Sequence, residues 1–373
     1  MNSLVFWGGY GWDDGTAMLY IGIGCLVGFL SFVSSRAKDA RQSFVLYALV
    51  TLTLILFKGA CVSGVDVKFG GGYYLNFISA ESLSAFRDKS VELGFQLLTV
   101  GIRCFTDRYE IYLLIVAAIS IVPVMYVFWK LRGELNLSFA VMGYSLFFVV
   151  TGMSAMRQFM AVGLGLLAVY YFFTKRYKQS LIVLVAAVSI HISALCLVLL
   201  FVFMITKERR FLQVFLAFLV VGLCVIGQAV IGGLLTGRYA IYSVAKTSGF
   251  GAAVLLKYLP IFFLLFAVET RVFSGDSGKK PEVLHFADCW AVLIFAVCIA
   301  LIGYVVPIFG RAESFSLPLV VVIAYLIRLC EKERYFRIPV KALAFGYFCF
   351  RFLLYMNDVY LAEGLMPYLT WFN

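Results

Sequence analysis

The chain has 373 residues, of which 63% are hydrophobic and only 14% are charged. A soluble domain carries roughly a quarter charged residues, so too little charge is left to cover a water-facing surface, and lipid is the expected solvent for most of the chain. The formal charge of +11 sits in short basic clusters between apolar runs, with no interleaved aromatic stripe, which excludes a nucleic-acid interface and fits the loops of a membrane protein.

Before the first long apolar run stand Trp7, Trp12, Asp13 and Asp14 rather than a basic n-region, so no cleavable signal peptide is expected. Apolar runs near 16–34, 43–62, 109–129, 136–152, 155–173, 179–191, 192–205, 211–234, 251–268, 286–306, 314–329 and 339–356 follow. Since a span needs about 20 residues, they predict an all-α, polytopic integral membrane helical bundle of about 12 hydrophobic segments. Residues 92–105 are short and amphipathic, and read as an interfacial or re-entrant segment. The chain, 1–373, reads as a single transmembrane domain with outer loops at 63–91 and 236–250. Thirty-seven Phe and 22 Tyr suit lipid-facing and interfacial positions.

Six basic clusters set the expected orientation: Arg36/Lys38/Arg41, Lys130/Arg132, Lys175/Arg176/Lys178, Lys207/Arg209/Arg210, Arg271/Lys279/Lys280, and Arg328 through Lys341. Each falls in an alternate loop, so the positive-inside rule puts all of them in the cytoplasm and both termini outside. The run 179–205 bears on this scheme. As one helix it would force a flanking cluster across the membrane; split at His191 into two short segments, it keeps both inside. Nine Cys lie mostly within apolar runs without a CxxC pair, and only two His occur. Buried thiols are therefore expected, not a zinc site.

Other cations are left over: Lys68, Arg87, Lys89, Arg157, Arg238, Lys246 and Arg311 fall on or near the outer face. A cation at a helix centre costs about 2.5–3.5 kcal/mol on insertion scales, less near a helix end where it can snorkel. Several outer-face Arg point to an anionic partner on that side. Three groups could carry chemistry. In Thr151–Gln158, Gly152 and Ser154 permit a tight turn, and Arg157 and Gln158 open the next helix, where free amides and a guanidinium suit phosphate; a snorkelling Arg is the alternative. His191, with Ser193, sits at the proposed break and is either a proton shuttle or a structural hydrogen-bonding residue. In the outer loops, Asp66 and Glu92 either take a sugar hydroxyl proton or pair with Arg. Arg238, with Tyr242, and Arg311 either approach a polyanion or anchor at the interface.

Arg157-Gln158-x-x-Ala161, the basic turn Lys175-Arg176-Tyr177-Lys178 and His191-x-Ser193-Ala194 together resemble the signature of Wzy-type polysaccharide polymerases of the EpsG group. Gly64-Val65-Asp66, Glu92-Leu93-Gly94-Phe95, Arg238 with Tyr242, Gly310-Arg311 and Pro367-Tyr368 extend the resemblance over almost the whole chain. Two positions depart from it. Leu93 stands where Pro is common, and the Tyr that follows the Asp is displaced to Tyr73 or Tyr74.

The resemblance implies a glycosyltransferase of the bacterial inner (plasma) membrane that polymerises undecaprenyl-pyrophosphate-linked glycan repeats at the outer, periplasmic face. It implies pyrophosphate or glycan recognition by Arg157, Gln158, Ser193, Arg238, Tyr242 and Arg311. His191 would orient or deprotonate the acceptor hydroxyl, with Asp66 or Glu92 as the alternative base. No cofactor or metal motif accompanies these residues, so metal-independent transfer is expected. Membrane lipid, a chain-length regulator and a flippase are the implied partners. An O-antigen ligase would carry its large outer loop between late spans, and a flippase transporter would carry its cations in a central cavity. An O-acyltransferase would not need several outer Arg.

Overall fold

The computed structural model describes residues 13–234, 252–274, 284–331, 334–356 and 364–372. The first two helices are started by carboxylates. Asp13 accepts the Thr16 N–H at 2.8 Å to open Asp14–Arg36, and Asp39 accepts the Arg41 and Gln42 amides to open Ala40–Ala60. The two helices are joined by reciprocal hydroxyl-to-carbonyl bonds between Ser34 and Ser43, both 2.8 Å. Tyr109–Lys130 packs on Ala40–Ala60, and the Tyr47 hydroxyl donates to the Met125 carbonyl at 2.8 Å.

Among the described residues, seven helical segments are long and apolar enough to cross a membrane. They are Asp14–Arg36, Ala40–Ala60, Tyr109–Lys130, Met156–Phe173, Arg210–Gly227, Phe286–Val305 and Phe309–Cys330. Shorter apolar helices are Leu93–Arg103, Leu137–Val149, Tyr177–Ile190 and Ile192–Ile205. The chain is an all-α, multi-pass membrane protein. The amphipathic segment forms the helix Leu93–Arg103, which buries Phe95, Gln96, Thr99 and Ile102 and exposes Leu93 and Leu97. The expected loop at 63–91 contains the short helix Gly72–Ile78; the loop at 236–250 lies outside the described residues.

The break at His191 is present. Tyr177–Ile190 ends there in an extended residue, φ −151° and ψ 117°, before a 3-10 turn at Ile192–Cys196 and the helix Leu197–Ile205. The rings of Phe172 and Phe201 stack at 4.6 Å, and Phe172 also meets Tyr177 at 5.1 Å. Both short helices therefore return to the Phe172 end of Met156–Phe173, with His191 at the apex. Other segments are more irregular than their hydropathy predicts. Leu137–Tyr144 passes into a π-helical turn, Ser145–Val149, then into the single turn Thr151–Ser154. Pro318–Cys330 is preceded by the 3-10 segment Pro307–Ser316.

Polar bonds tie the bundle at both ends. At one end Lys207 pairs with Asp288 at 2.8 Å, Glu134 accepts the Leu284 N–H at 3.1 Å, and Glu331 joins Asn136 and Lys341, both at 2.8 Å. The Arg36, Lys130, Lys175 and Arg328 turns lie at this same end. At the other end the C-terminal segment closes over the first hairpin. Tyr20 donates to Leu365 O at 2.5 Å, Tyr368 to Phe57 O at 2.7 Å and Trp371 to Gly59 O at 2.9 Å.

Asp288 is buried, takes Lys207 on both oxygens and also accepts the His285 N–H at 3.2 Å. Truncating one partner of a buried pair strands the other charge. Asp288→Ala is expected to lower stability by about 3 kcal/mol or more, and to lower the thermal midpoint in detergent further than Lys207→Ala does. Equal midpoints for the two variants would contradict this account of the Lys207–Asp288 pair.

Candidate active site

Three short motifs are pressed together by close glycine contacts. A Cβ on Gly64 would lie 2.6 Å from the Met153 carbonyl oxygen and 2.8 Å from the Ser154 Cα, so the chain can meet the Thr151–Ser154 turn only without a side chain. This brings the Val65 N–H to the Ser154 hydroxyl at 3.3 Å and Asp66 Oδ2 to the Met156 N–H at 3.1 Å. A carboxylate is favoured there because a helix start has unmatched amides and a positive dipole end. One of the amides expected to await phosphate is thus already held by Asp66.

Glu92 does the joining on the other side. Gly94 sits so close to the end of Tyr177–Ile190 that an added Cβ would lie 2.6 Å from the Ser189 carbonyl oxygen. From this position Glu92 Oε2 pairs with the Arg157 guanidinium, and Oε1 accepts the Ile192 N–H at 3.0 Å. The guanidinium also lies over the rings of Tyr73, at 5.1 Å, and Phe95, at 5.6 Å, where ring quadrupoles favour a cation. Arg157 is only 7% exposed.

His191 is buried at the apex of its hairpin. Its Nδ1 accepts the Ser193 N–H at 3.2 Å and stands 3.8 Å from Glu92 Oε1. An accepting Nδ1 makes Nε2 the protonated nitrogen of the neutral ring. The third wall comes from Pro307–Ser316. Gln158 Nε2 donates to the Arg311 carbonyl at 2.5 Å, and Arg311 itself is exposed.

These walls enclose a cavity of about 260 Å³ whose lining includes Asp66, Tyr73, Arg157, Gln158, His191 and Arg311. Glu92 lies behind the wall as the bridge, and Ser193 supplies its backbone N–H to the imidazole. Arg238 and Tyr242 lie outside the described residues. Of the two displaced tyrosines, Tyr73 lines the cavity, while Tyr74 packs edge-on against Tyr109 at 5.0 Å.

Sequence reasoning missed Glu313, which also lines the cavity. It accepts Lys257 Nζ at 2.5 Å and the Tyr258 hydroxyl at 3.0 Å, with Arg351 Nη2 at 3.6 Å. No local pattern announces it, because its partners lie on distant segments. The available chemistry is two guanidinium groups, an imidazole N–H and two carboxylates, Asp66 and Glu313, around one cavity. Such a set is chemically able to bind an anion and to move a proton.

The EpsG family profile matches residues 44–370. The chain belongs to the EpsG family. No curated protein and no solved structure matches it. The EpsG match runs from the second helix to Thr370 beside Trp371, and so takes in every wall of the cavity. In this EpsG-family chain, Gly64→Val is expected to force the 63–66 segment off the Met153–Ser154 turn and to break the Asp66–Met156 bond. Overpacking of this kind costs about 1–3 kcal/mol. A thermal midpoint equal to wild type would contradict the close approach.

Proposed function

We propose that the protein is a membrane glycosyltransferase that polymerises undecaprenyl-pyrophosphate-linked oligosaccharide repeats into O-antigen or a related surface polysaccharide. The observation that carries this reading is the shared cavity of Arg157, His191, Asp66 and Arg311. It lies at the bundle end opposite the described basic clusters. By the positive-inside rule the clustered end is cytoplasmic, so the cavity faces outward. Tyr177–Ile190 has 14 residues. At about 1.5 Å per residue it rises about 21 Å, short of a hydrocarbon core of about 30 Å. The His191 apex is then recessed below the membrane surface, in a poorly hydrated site where fixed cations act most strongly on developing charge.

In the proposed reaction an acceptor hydroxyl of the incoming unit attacks the anomeric carbon of the growing chain. The anomeric C–O bond to pyrophosphate breaks, a glycosidic C–O bond forms, and the carrier leaves as polyprenyl pyrophosphate. Arg157 and Arg311 meet the negative charge on the departing pyrophosphate; Gln158 fixes the Arg311 segment, and Arg238 and Tyr242 are assigned to the same recognition. The hydroxyl proton passes to Asp66, a carboxylate that lines the cavity. His191, with Nδ1 engaged by Ser193, donates from Nε2 and orients the reacting oxygens. Glu92, with both oxygens engaged, is a positioning residue in this scheme. A chain-length regulator and a flippase are proposed partners.

His191→Ala should lower turnover of purified protein on defined lipid-linked repeats by about 100-fold or more. Arg157→Lys should lose a comparable factor, about 100-fold, because a point charge replaces the planar fork that both Glu92 and phosphate engage. Wild-type turnover in His191→Ala would remove the imidazole from the reaction, and full activity in Arg157→Lys would remove Arg157 from phosphate recognition. A deletion strain should display single repeat units on its lipid core. Their complete absence would favour a ligase or flippase.

A further inference from the structure

Glu313 enters the cavity from the Pro307–Ser316 segment and is held through one of its two oxygens. Lys257 Nζ donates to Oε1 at 2.5 Å, the Tyr258 hydroxyl donates to the same atom at 3.0 Å, and Arg351 Nη2 stands 3.6 Å from it. Among the described residues Oε2 takes no hydrogen bond, and it is not sealed into the protein interior. The second oxygen is therefore left to the cavity that Glu313 lines.

The segment that carries Glu313 is fixed from two sides. A Cβ on Gly303 would lie 2.7 Å from the Gly310 Cα, so the two backbones touch there. Two residues before Glu313, the Arg311 carbonyl takes Gln158 Nε2 at 2.5 Å. With the backbone held there and Oε1 held by Lys257 and Tyr258, the positions open to Oε2 are few. Glu92 differs, since both of its oxygens bond within the protein. A carboxylate oxygen is an acceptor and never a donor. What Oε2 takes from the cavity is thus an O–H or N–H, not a phosphate oxygen, and a bond to a charged acceptor is roughly twice as strong as a neutral one.

We propose that Glu313 is a substrate-contacting, specificity-determining residue that accepts a sugar hydroxyl at Oε2, with Lys257 and Tyr258 as its positioning residues. The inference rests on the polymerase reading, which supplies a sugar next to a pyrophosphate. It divides the cavity by chemistry: Arg157 and Arg311 serve the phosphate, and a fixed carboxylate serves the glycan. Selectivity follows, because a site built to bond a hydroxyl strongly rejects a ligand that lacks it.

The test is turnover by the purified full chain in detergent on a parent lipid-linked repeat and on analogues that each lack one hydroxyl. Wild type should lose at least about tenfold in kcat/KM on one analogue, as expected for a lost bond to a charged group. In Glu313→Gln the amide oxygen turns to Lys257 and Tyr258, which leaves an NH2 donor where the hydroxyl needs an acceptor. This variant should lose about tenfold or more on the parent, yet show no further loss on that analogue, because both changes remove the same bond. Its affinity for inorganic pyrophosphate should not fall. Glu313→Gln combined with Lys257→Gln leaves no stranded ammonium, and repeats the test should the single variant fail to fold.

An analogue penalty that persists at full size in Glu313→Gln would overturn the contact and leave the polymerase reading intact. So would a wild type equally active on every analogue, or a variant whose loss is the same on the parent and on all analogues. Absence of turnover by wild type on any lipid-linked repeat would overturn the sugar assignment and count against the polymerase reading as well.

Discussion

Glu92 brings a negative charge to a wall that also contains a buried guanidinium and a broken helix. One of its oxygens takes Arg157, the second residue of Met156–Phe173; the other takes the Ile192 amide, just past the break at His191. Each partner is difficult to hold without it. A guanidinium that is 7% exposed needs an anion, and a helix interrupted in mid-bundle leaves amides that need acceptors. One carboxylate meets both needs and fixes the relative position of two elements that carry cavity-lining side chains. Tyr73 and Phe95 complete the guanidinium's surroundings, so its planar face is set by rings and its edge by an ion pair. The guanidinium is therefore oriented from both its edge and its face.

The opposite wall is built on a similar plan with different parts. There Glu313 is the central anion, with Lys257, Tyr258 and Arg351 arranged around it. In both walls a carboxylate pairs with a cation, which lowers the cost of placing that cation near hydrocarbon. Met156–Phe173 links the two walls, because Arg157 faces Glu92 while the adjacent Gln158 bonds to the Arg311 carbonyl.

Much of this was legible in the sequence because the motifs are contact motifs. The Gly of Gly64-Val65-Asp66 and the Gly of Glu92-Leu93-Gly94-Phe95 each mark a backbone that touches another backbone. A carboxylate two residues from each glycine, Asp66 or Glu92, carries the bond that follows from the touch. The break at His191 was visible as a charge problem, since two basic clusters could not share one face if 179–205 were a single helix. The helical class and the apolar runs followed from composition. Three things were hidden. Glu313 sits in an ordinary Arg-Ala-Glu stretch, and its partners lie on other segments, so no spacing reveals it. Asp66 as a cap for Met156 depends on a contact between distant segments. The π turn at Ser145–Val149 has the same hydropathy as an α-helix and differs only in its tertiary surroundings.

The account depends on Glu92 and Arg157 acting as one unit that stabilises the wall. A double-mutant cycle of Glu92→Gln and Arg157→Lys, read as unfolding free energy in detergent, measures this directly. The account predicts that the double variant is little less stable than the worse single variant, with a coupling of about 0.5–3 kcal/mol. Strictly additive losses would mean that the two side chains do not act on each other, and the wall would have to be held by something else.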